Sequence, residues 1–280
     1  MRQYAPLRMP REELPSHHYS REYLLSDLLE GYGDFEKGGL SATKTKEMNL
    51  LEIFPGARVL DVGYGRGELL YHCAKEKGAI VSGVDYSEDA FKIAKETLAG
   101  IPGADVRHAD CRKLPFEDES FDRIVSGDVI EHVCYEDGIL MLKEMHRVLR
   151  PHGFMLVHTT PNTLFKKVAY PVCRPILKFL NADAVKHMDA HLYGVGGVFL
   201  HLNEFSLFTL RKIARDAGLT GAKAWIDSDM LRSGQHRITR EFSGNPLVAF
   251  VGRCGKLAPV RLFLGNDLYL KYEKPRTIRG

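Results

Sequence analysis

The sequence contains no apolar run that approaches the roughly 18 residues of a membrane-spanning helix, so we expect no such helix. Its N-terminal residues are charged and lack an apolar segment, which predicts no signal peptide. No C-x-x-C pair occurs, and an odd number of cysteines argues against a disulfide framework or a zinc ribbon. Together these absences predict a reduced, cytoplasmic protein. The five cysteines are Cys73, Cys111, Cys134, Cys173 and Cys254.

A strong charge imbalance is also lacking. Charged residues make up 27% of the chain and the formal net charge is +3, so composition requires neither a nucleic-acid nor a membrane partner. The 280 residues, 44% of them hydrophobic, can form one large α/β domain with an insertion or two small domains.

The most informative stretch covers residues 59–70, which read as a buried strand, a glycine turn and the start of a helix. The turn spaces Gly63, Gly65 and Gly67 as G-x-G-x-G, whereas the dinucleotide fingerprint is G-x-G-x-x-G. Asp61 precedes the first glycine by two residues. A carboxylate there suits a cationic ligand better than a phosphate. A purely structural glycine turn is the alternative.

Two further acidic residues follow at regular intervals. Asp85 ends a predicted strand, 79–84, and comes 24 residues after Asp61. Asp110 comes another 25 residues on, just after a short strand predicted for 105–108. In open α/β sheets ligands bind outside the carboxyl ends of the strands. The acids could therefore converge on one ligand, although each could also be an ordinary strand-end residue.

Residues 59–161 resemble the class I S-adenosylmethionine (SAM) methyltransferases through Asp61, the three glycines, Asp85, Asp110 and a Leu-Arg-Pro-x-Gly turn at 149–153. The resemblance implies a Rossmann-like, doubly wound α/β sheet of seven strands, mostly parallel with the last strand antiparallel. It also implies that Asp85 accepts hydrogen bonds from the ribose and Asp110 from the adenine amino group. The implied SAM-binding residues are Asp61, Gly63, Gly65, Gly67, Asp85, Tyr86, Asp110, Cys111 and Asp128.

The predicted organisation has four parts. Residues 1–54 form a tail and helices (20–29 and 41–54) that close over the cofactor, and residues 55–161 form the SAM-binding core. Residues 162–205 form a substrate cap inserted after strand five, with a hinge at 194–197. Residues 206–280 supply strands six (221–226) and seven (245–253) and a tail. The basic, apolar stretch 164–180 could cover an acceptor or lie on a membrane. Pro171 and Pro175 interrupt any continuous helix, which favours the cap.

The chemistry is expected after strands four and five, at Asp128, Glu131, His132, His158 and Asn162. Methyl transfer needs the nucleophile, methyl group and sulfur in line, and a base only when the acceptor is a weak protonated group. Asp128, Glu131 and His132 have helical spacing and could bind a divalent cation.

The Asp128-x-x-Glu131-His132 segment is similar to the E-x-x-E-H of ubiquinone-pathway catechol O-methyltransferases and of small-RNA 2′-O-methyltransferases, which use Mg²⁺ or Mn²⁺. Asp128 replaces the first Glu, so a Mg²⁺ site stays one of three possibilities. The others are a metal-free base or substrate contact at His132 and a structural role. His201, in a stretch similar to one in the RNA enzymes, is a further candidate ligand or a pocket residue. His187 and His191 are expected to be partly buried packing residues.

The resulting hypothesis is SAM-dependent methylation of a small molecule, at a hydroxyl of a sugar, a phenol or quinol, or a lipid-linked intermediate. Glu131, His132 and His201 are the catalytic candidates. The alternatives are metal-assisted RNA 2′-O-methylation, N- or C-methylation of a small molecule, and a non-catalytic binding protein of the same fold. The near-neutral charge and lack of an RNA-binding module disfavour RNA. Peripheral membrane contact and the oligomeric state stay open.

Overall fold

The computed structural model describes residues 15–26, 29–193, 200–227 and 257–276, together with residue 246. Seven strands form one sheet in the order β3-β2-β1-β4-β5-β7-β6. Strands β1 to β5 run parallel to one another, and β7 runs antiparallel to both β5 and β6. The predicted doubly wound seven-stranded sheet is therefore confirmed. None of the helices in these residues has the length and apolar character needed to cross a bilayer.

The helices and strands alternate through the first half of the chain, as a parallel sheet requires. The helices are α1 (Arg21–Leu24), α2 (Tyr32–Phe35), α3 (Ala42–Leu50), α4 (Glu68–Lys77), α5 (Glu88–Thr97), α6 (Tyr135–Val148), α7 (Tyr170–Leu180), α8 (Ala182–Tyr193), α9 (Leu207–Asp216) and α10 (Ala258–Leu264). The strands are β1 (Arg58–Val62), β2 (Ile80–Asp85), β3 (Asp105–His108), β4 (Phe121–Gly127), β5 (Leu149–Thr159), β6 (Lys223–Ile226) and β7 (Leu268–Glu273).

Two glycines in the turn after β1 have positive φ but different surroundings. Gly63 has φ +85°, and a Cβ there would lie 2.1 Å from Cγ2 of Val129, so no larger residue fits. Gly65 also has positive φ, but nothing lies within 4 Å of the position its Cβ would take. The backbone at Gly65 therefore faces open space at the carboxyl end of the sheet.

The last strand differs from the expectation. The predicted strand seven, 245–253, and the predicted hinge, 194–197, lie outside the described residues apart from residue 246. The strand beside β5 is Leu268–Glu273, which the sequence analysis did not identify. One large apolar cluster, including Leu142, Met155 and Leu210, packs on one side of the sheet. A second, including Leu70, Ile93 and Tyr269, packs on the other.

Two predicted N-terminal helices are shorter in the structure. The helix expected over 20–29 is one turn, Arg21–Leu24, and the one expected over 41–54 is Ala42–Leu50. Each helix is capped by a serine: Oγ of Ser20 accepts a hydrogen bond from the amide of Tyr23, and Oγ of Ser41 accepts one from the amide of Lys44. Glu52 has φ +48°, a left-handed conformation that a helix cannot contain.

After β5, residues 165–193 form a helical hairpin. A π-helical turn, Phe165–Ala169, leads into α7, and α8 returns against it. The hairpin has a small core of its own, where Tyr170 packs with Val185 and Met188. The expectation that the prolines interrupt a helix was wrong, because α7 continues through Pro175. Pro171 lies in the first turn of α7, where the missing amide costs no hydrogen bond.

A candidate cofactor and acceptor site

A cavity of about 450 Å³ opens at the carboxyl ends of β1, β2, β3 and β4, within the size range of small-molecule sites. It is closed from the other side by the N-terminal segment, which contributes Tyr19, Tyr23 and Leu24 to its wall. The predicted site residues that line it are Gly63, Gly65, Asp85, Tyr86, Asp110, Cys111, Asp128 and His132. Those that lie outside its lining are Asp61, Gly67, Glu131 and His201.

Asp61 lies directly behind this wall, at the end of β1. Its side chain is buried, and Oδ2 has no hydrogen-bond partner among the described residues. Burial is the largest effect on Asp61 and, with Glu47, Glu68 and Asp85, raises its pKa to about 7 against the opposing effect of Lys44. A cationic ligand near the unpartnered oxygen would stabilise the ionised form of this carboxyl.

Asp85 and Asp110 both line the cavity, but neither carboxylate is free of partners. The Asp85 carboxylate accepts the amide of Gly65 at 2.9 Å and that of Ser87 at 2.8 Å. These bonds join the ends of β1 and β2 and hold the glycine turn. Asp110 pairs with Arg112 at 2.5 Å, and this guanidinium also contacts Asp137 at 3.2 Å. An adenine amino group would have to share the Asp110 carboxylate with Arg112.

The lining is strongly acidic. Eight acidic residues and three permanently charged basic residues contribute to the lining, so a cationic ligand is favoured over an anionic one. The carboxylates are Glu30, Glu47, Glu68, Asp85, Asp110, Asp128, Glu136 and Asp137, and the cations are Lys44, Arg66 and Arg112.

Arg66 joins the N-terminal segment to the glycine turn. Its side chain is 1% exposed and pairs with Glu68 at 2.8 Å. The same guanidinium donates to the backbone carbonyls of Leu24 at 3.1 Å and Glu30 at 2.7 Å. Ser87 makes a second link by donating to the carbonyl of Tyr19 at 2.7 Å. The wall that these residues form therefore depends on a buried, charge-assisted cluster.

Asp128 is held by a partner that the sequence analysis did not pair with it. It has φ +54°, and its carboxylate lies 3.3 Å from Nδ1 of His158, which is fully buried. The same nitrogen lies 3.3 Å from Glu47, and Nε2 of His158 lies 3.3 Å from Asp267. Burial alone would lower the pKa of His158, but Asp128 foremost, with Tyr269 and Asp267, raises it well above its ordinary value. Asp128 thus belongs to a buried ion-pair cluster.

His132 presents a single free nitrogen to the cavity. Its Nδ1 lies 2.8 Å from the carbonyl of Leu200, an acceptor, so Nδ1 carries the proton and Nε2 a lone pair. Burial lowers the pKa of His132 to about 4, and the neighbouring His201 adds to this. The ring is therefore neutral at neutral pH. It packs edge-on against Tyr19 at 5.8 Å and His201 at 5.0 Å between centroids.

Glu131, His132 and His201 have potential ligand atoms within 4.8 Å of one another. This set fits Mg²⁺ poorly, because Mg²⁺ prefers oxygen ligands and two of the three groups are imidazoles. Burial and then the charge of Asp128 raise the pKa of Glu131 well above its ordinary value, which favours its neutral form. Its Oε2 accepts a hydrogen bond from Thr159 at 2.8 Å. The Mg²⁺ site stays a prediction, and no step of the reaction below uses it.

The remaining candidates lie away from the cavity. Asn162 is buried and donates to the carbonyls of Leu262 and Gly265, which fixes the start of the hairpin to α10. His187 is exposed on α8, not partly buried as expected, because its side of the helix points away from Tyr170. The side chain of His191 lies outside the described residues.

Sequence reasoning missed several residues that shape the cavity. Lys44 and Glu47 come from α3, and Tyr19 precedes α1, far from the glycine turn in sequence. Nothing local marks them as site residues. The sequence does give a signal for Arg66, because an arginine between two glycines of a buried turn needs hydrogen-bond acceptors. The sequence does not indicate that those acceptors are the carbonyls of Leu24 and Glu30.

The geometry agrees with the comparisons with known proteins. Residues 60–157 match the family model described as "Methyltransferase domain". Residues 60–157 therefore form a methyltransferase domain. Demethylmenaquinone methyltransferase of Staphylococcus aureus is 34% identical over 124 residues, which are 43% of this chain and 51% of that protein. The chain therefore spans about half the length of the curated relatives it matches. The family and enzyme class expected from the sequence are confirmed for this domain.

Solved structures share the fold of nearly the whole chain. A chain of the complex between the Haloferax volcanii Trm112 methyltransferase activator and a methyltransferase aligns with TM-score 0.60 and 18% identity, covering 91% of this chain and 97% of that one. Phosphoethanolamine N-methyltransferase 2 of Haemonchus contortus, in complex with SAM, aligns with TM-score 0.58 and 20% identity, covering 91% and 60%. At these identities the likeness shows the fold alone.

Proposed function

We propose that this protein transfers the methyl group of SAM to a hydroxyl of a small aromatic acceptor, of the phenol or quinol class. The observation that carries the proposal is the composition of the cavity. Its glycine-turn side is bordered by carboxylates and by the unpartnered Oδ2 of Asp61, which fit the ammonium and sulfonium of SAM. Its lining also contains the neutral ring of His132, packed edge-on against Tyr19, which fits an aromatic acceptor with one hydroxyl. The 34% identical relative bears a quinone-methylating name, which supports this acceptor class.

In the proposed reaction the hydroxyl oxygen attacks the methyl carbon while the carbon–sulfur bond breaks, leaving neutral S-adenosylhomocysteine. The hydroxyl proton passes to Nε2 of His132, while Nδ1 keeps its own proton and continues to donate it to the carbonyl of Leu200. A pKa of about 4 makes His132 too weak to ionise a phenol beforehand. The proton therefore leaves as the new carbon–oxygen bond forms, when the oxygen becomes acidic. Glu131 accepts a hydrogen bond from the hydroxyl of Thr159 and so supports the turn that carries His132.

RNA 2′-O-methylation is less well supported by the cavity. A phosphate backbone entering it would face eight carboxylates, with three cations to offset them. Two of those cations, Arg66 and Arg112, are already paired with Glu68 and Asp110.

The test is His132→Ala in an assay of radiolabelled methyl transfer from SAM to a soluble quinol. We expect kcat to fall by about 10²–10⁴-fold, the usual contribution of a general base, with SAM affinity unchanged by calorimetry. His187→Ala is the matched control, because this exposed histidine lies outside the cavity lining. Equal activity of the wild type and His132→Ala would refute the role of His132. Failure of the wild type to bind SAM would refute the proposal as a whole. If the product is methylated on a ring carbon, the acceptor atom is carbon and not the hydroxyl oxygen, and only the assignment of the site is retained.

A further inference from the structure

The hairpin after β5 exposes an apolar face that the fold itself does not need. Six apolar residues of the π-helical turn and α7 follow one another at alternating steps of three and one and are all exposed, so they lie on one side of the helix. Val172 is 71%, Ile176 57% and Phe179 91% exposed. We call this set the outer α7 face. It consists of Val168, Pro171, Val172, Pro175, Ile176 and Phe179.

The opposite side of α7 already supplies the packing of the hairpin. Tyr170 is buried against α8, and its hydroxyl donates to Asp189 at 2.8 Å. The solvent-facing side of α8 is polar, because its exposed residues include Asp183, Lys186 and His187. A surface helix normally carries polar residues on its outer side. The outer α7 face therefore departs from its own neighbour in the same hairpin.

The charges around this face have one sign. Residues 164–181 contain four basic residues and no Asp or Glu. Three of the four contact acids of other segments: Lys166 and, at 3.9 Å, Lys167 contact Glu204, and Arg174 contacts Asp189. Lys167 and Lys178 are exposed near the two ends of the outer α7 face. An apolar strip flanked by lysines is complementary to an apolar layer beneath anionic head groups.

We propose that the outer α7 face docks the protein onto the surface of a bilayer that contains anionic phospholipid. The face runs from residue 168 to residue 179, or about 16 Å of helix, which is about half the thickness of a hydrocarbon core. The helix therefore lies in the plane of the head groups with Ile176 and Phe179 inserted. A second copy of the chain fits this face less well. Antiparallel pairing of two such faces would bring Lys167 near a lysine of equal charge.

The hairpin is joined to the candidate site by buried contacts. Lys166 pairs with Glu204, and Tyr193 donates to the carbonyl of Lys166 at 2.7 Å. Nδ1 of His201 lies 3.9 Å from Glu204, and the His201 ring packs against His132. Docking through α7 would thus anchor the chain beside the acceptor side of the cavity. The inference goes beyond the proposed function and does not depend on the identity of the acceptor.

The test is co-sedimentation of the whole protein with vesicles of phosphatidylcholine alone and with vesicles containing 30% phosphatidylglycerol. We expect binding to the anionic vesicles and much weaker binding to the neutral ones. The double variant Ile176→Ser/Phe179→Ser should bind at least about tenfold more weakly, since two apolar side chains no longer enter the bilayer. Lys167→Gln and Lys178→Gln should each weaken binding by about fivefold on the anionic vesicles.

Phe208→Ser is the matched control, because Phe208 is 60% exposed on α9, away from this face. It should bind vesicles as the wild type does, and all variants should keep the same circular dichroism and SAM affinity. The proposal is overturned if the wild type fails to sediment with anionic vesicles. It is also overturned if the Ile176/Phe179 variant binds as well as the wild type. A wild-type dimer that this variant converts to a monomer, without vesicle binding, would assign the face to a second copy instead.

Discussion

The ionisation of Asp61 should make SAM binding depend on pH. Burial raises the pKa of this carboxyl to about 7, so in the ligand-free protein it is largely protonated at pH 6 and largely ionised at pH 8. Only the ionised form attracts the cationic cofactor. If SAM selects that form, the apparent affinity falls with the ionised fraction, which gives about a tenfold weaker affinity at pH 6 than at pH 8. His132 does not contribute, because its pKa of about 4 leaves it neutral throughout this range.

Titration calorimetry of SAM binding at pH 6, 7 and 8 measures this effect directly. Repeating it at pH 7 in two buffers of different ionisation enthalpy should show release of about half a proton per SAM bound, because the carboxyl is half protonated at that pH. In Asp61→Asn, SAM should bind more weakly at pH 8, and most of the pH dependence should be lost. Any slope that remains belongs to Asp85, whose pKa is also raised by burial. Asp183→Asn, on the exposed side of α8, is the matched control and should retain the full tenfold change.

In the ligand-free protein, stability should change in the opposite direction. The folded pKa of Asp61 lies above its unfolded value of about 4, so the folded state binds the proton more tightly and loses stability as pH rises between these values. From pH 5 to pH 7 this amounts to about 2 kcal/mol of the free energy of unfolding. Urea unfolding of the wild type and Asp61→Asn measures the difference. Two results would refute the reasoning: identical SAM affinities at pH 6 and pH 8, or an Asp61→Asn variant that keeps the whole effect.

Two further predictions concern the walls of the cavity. Arg66→Met leaves Glu68 buried without its cation and should cost about 3–5 kcal/mol in urea unfolding, and adding Glu68→Gln should recover part of the loss. No recovery would contradict the pairing. Gly63→Ala forces a Cβ against Val129 in a left-handed conformation and should weaken SAM binding at least tenfold in calorimetry. Adding Val129→Ala removes the clash but leaves alanine in a left-handed backbone conformation. Complete rescue of SAM binding would therefore show that this conformation costs nothing, contrary to the prediction.

The parts of the fold that were predictable depend on local signals. The strand Asp105–His108 was predicted with its observed bounds, and the helix predicted to start within residues 59–70 begins at Glu68. Gly78, with φ +66°, closes that helix as a left-handed C-cap. Ser206 caps α9 in the same local way, reinforced by Thr209. Each of these signals acts within one turn of chain and needs no knowledge of what packs against it.

The parts that were missed depend on distant partners. The strand Leu268–Glu273 reads weakly in sequence, and it becomes a strand because β5 and β6 lie on either side of it. The role of His158, a candidate site residue in the sequence, also depends on a distant partner. Its partner Asp267 is 109 residues away, so no spacing rule could have assigned it to a buried ion-pair cluster. Asp128, predicted to bind a metal, is held by that cluster.

The neutrality of His132 follows from its surroundings and shapes what the cavity can do. A charged imidazole beside the sulfonium would repel the cofactor, and a strongly basic one would be protonated by water before the acceptor arrived. Burial and His201 keep the ring neutral, while the carbonyl of Leu200 fixes which nitrogen carries the proton. The acidic residues of the lining outnumber its lysine and arginine residues, which favours the cationic cofactor. A neutral His132 adds no charge beside the acceptor, which suits a phenol or quinol ring.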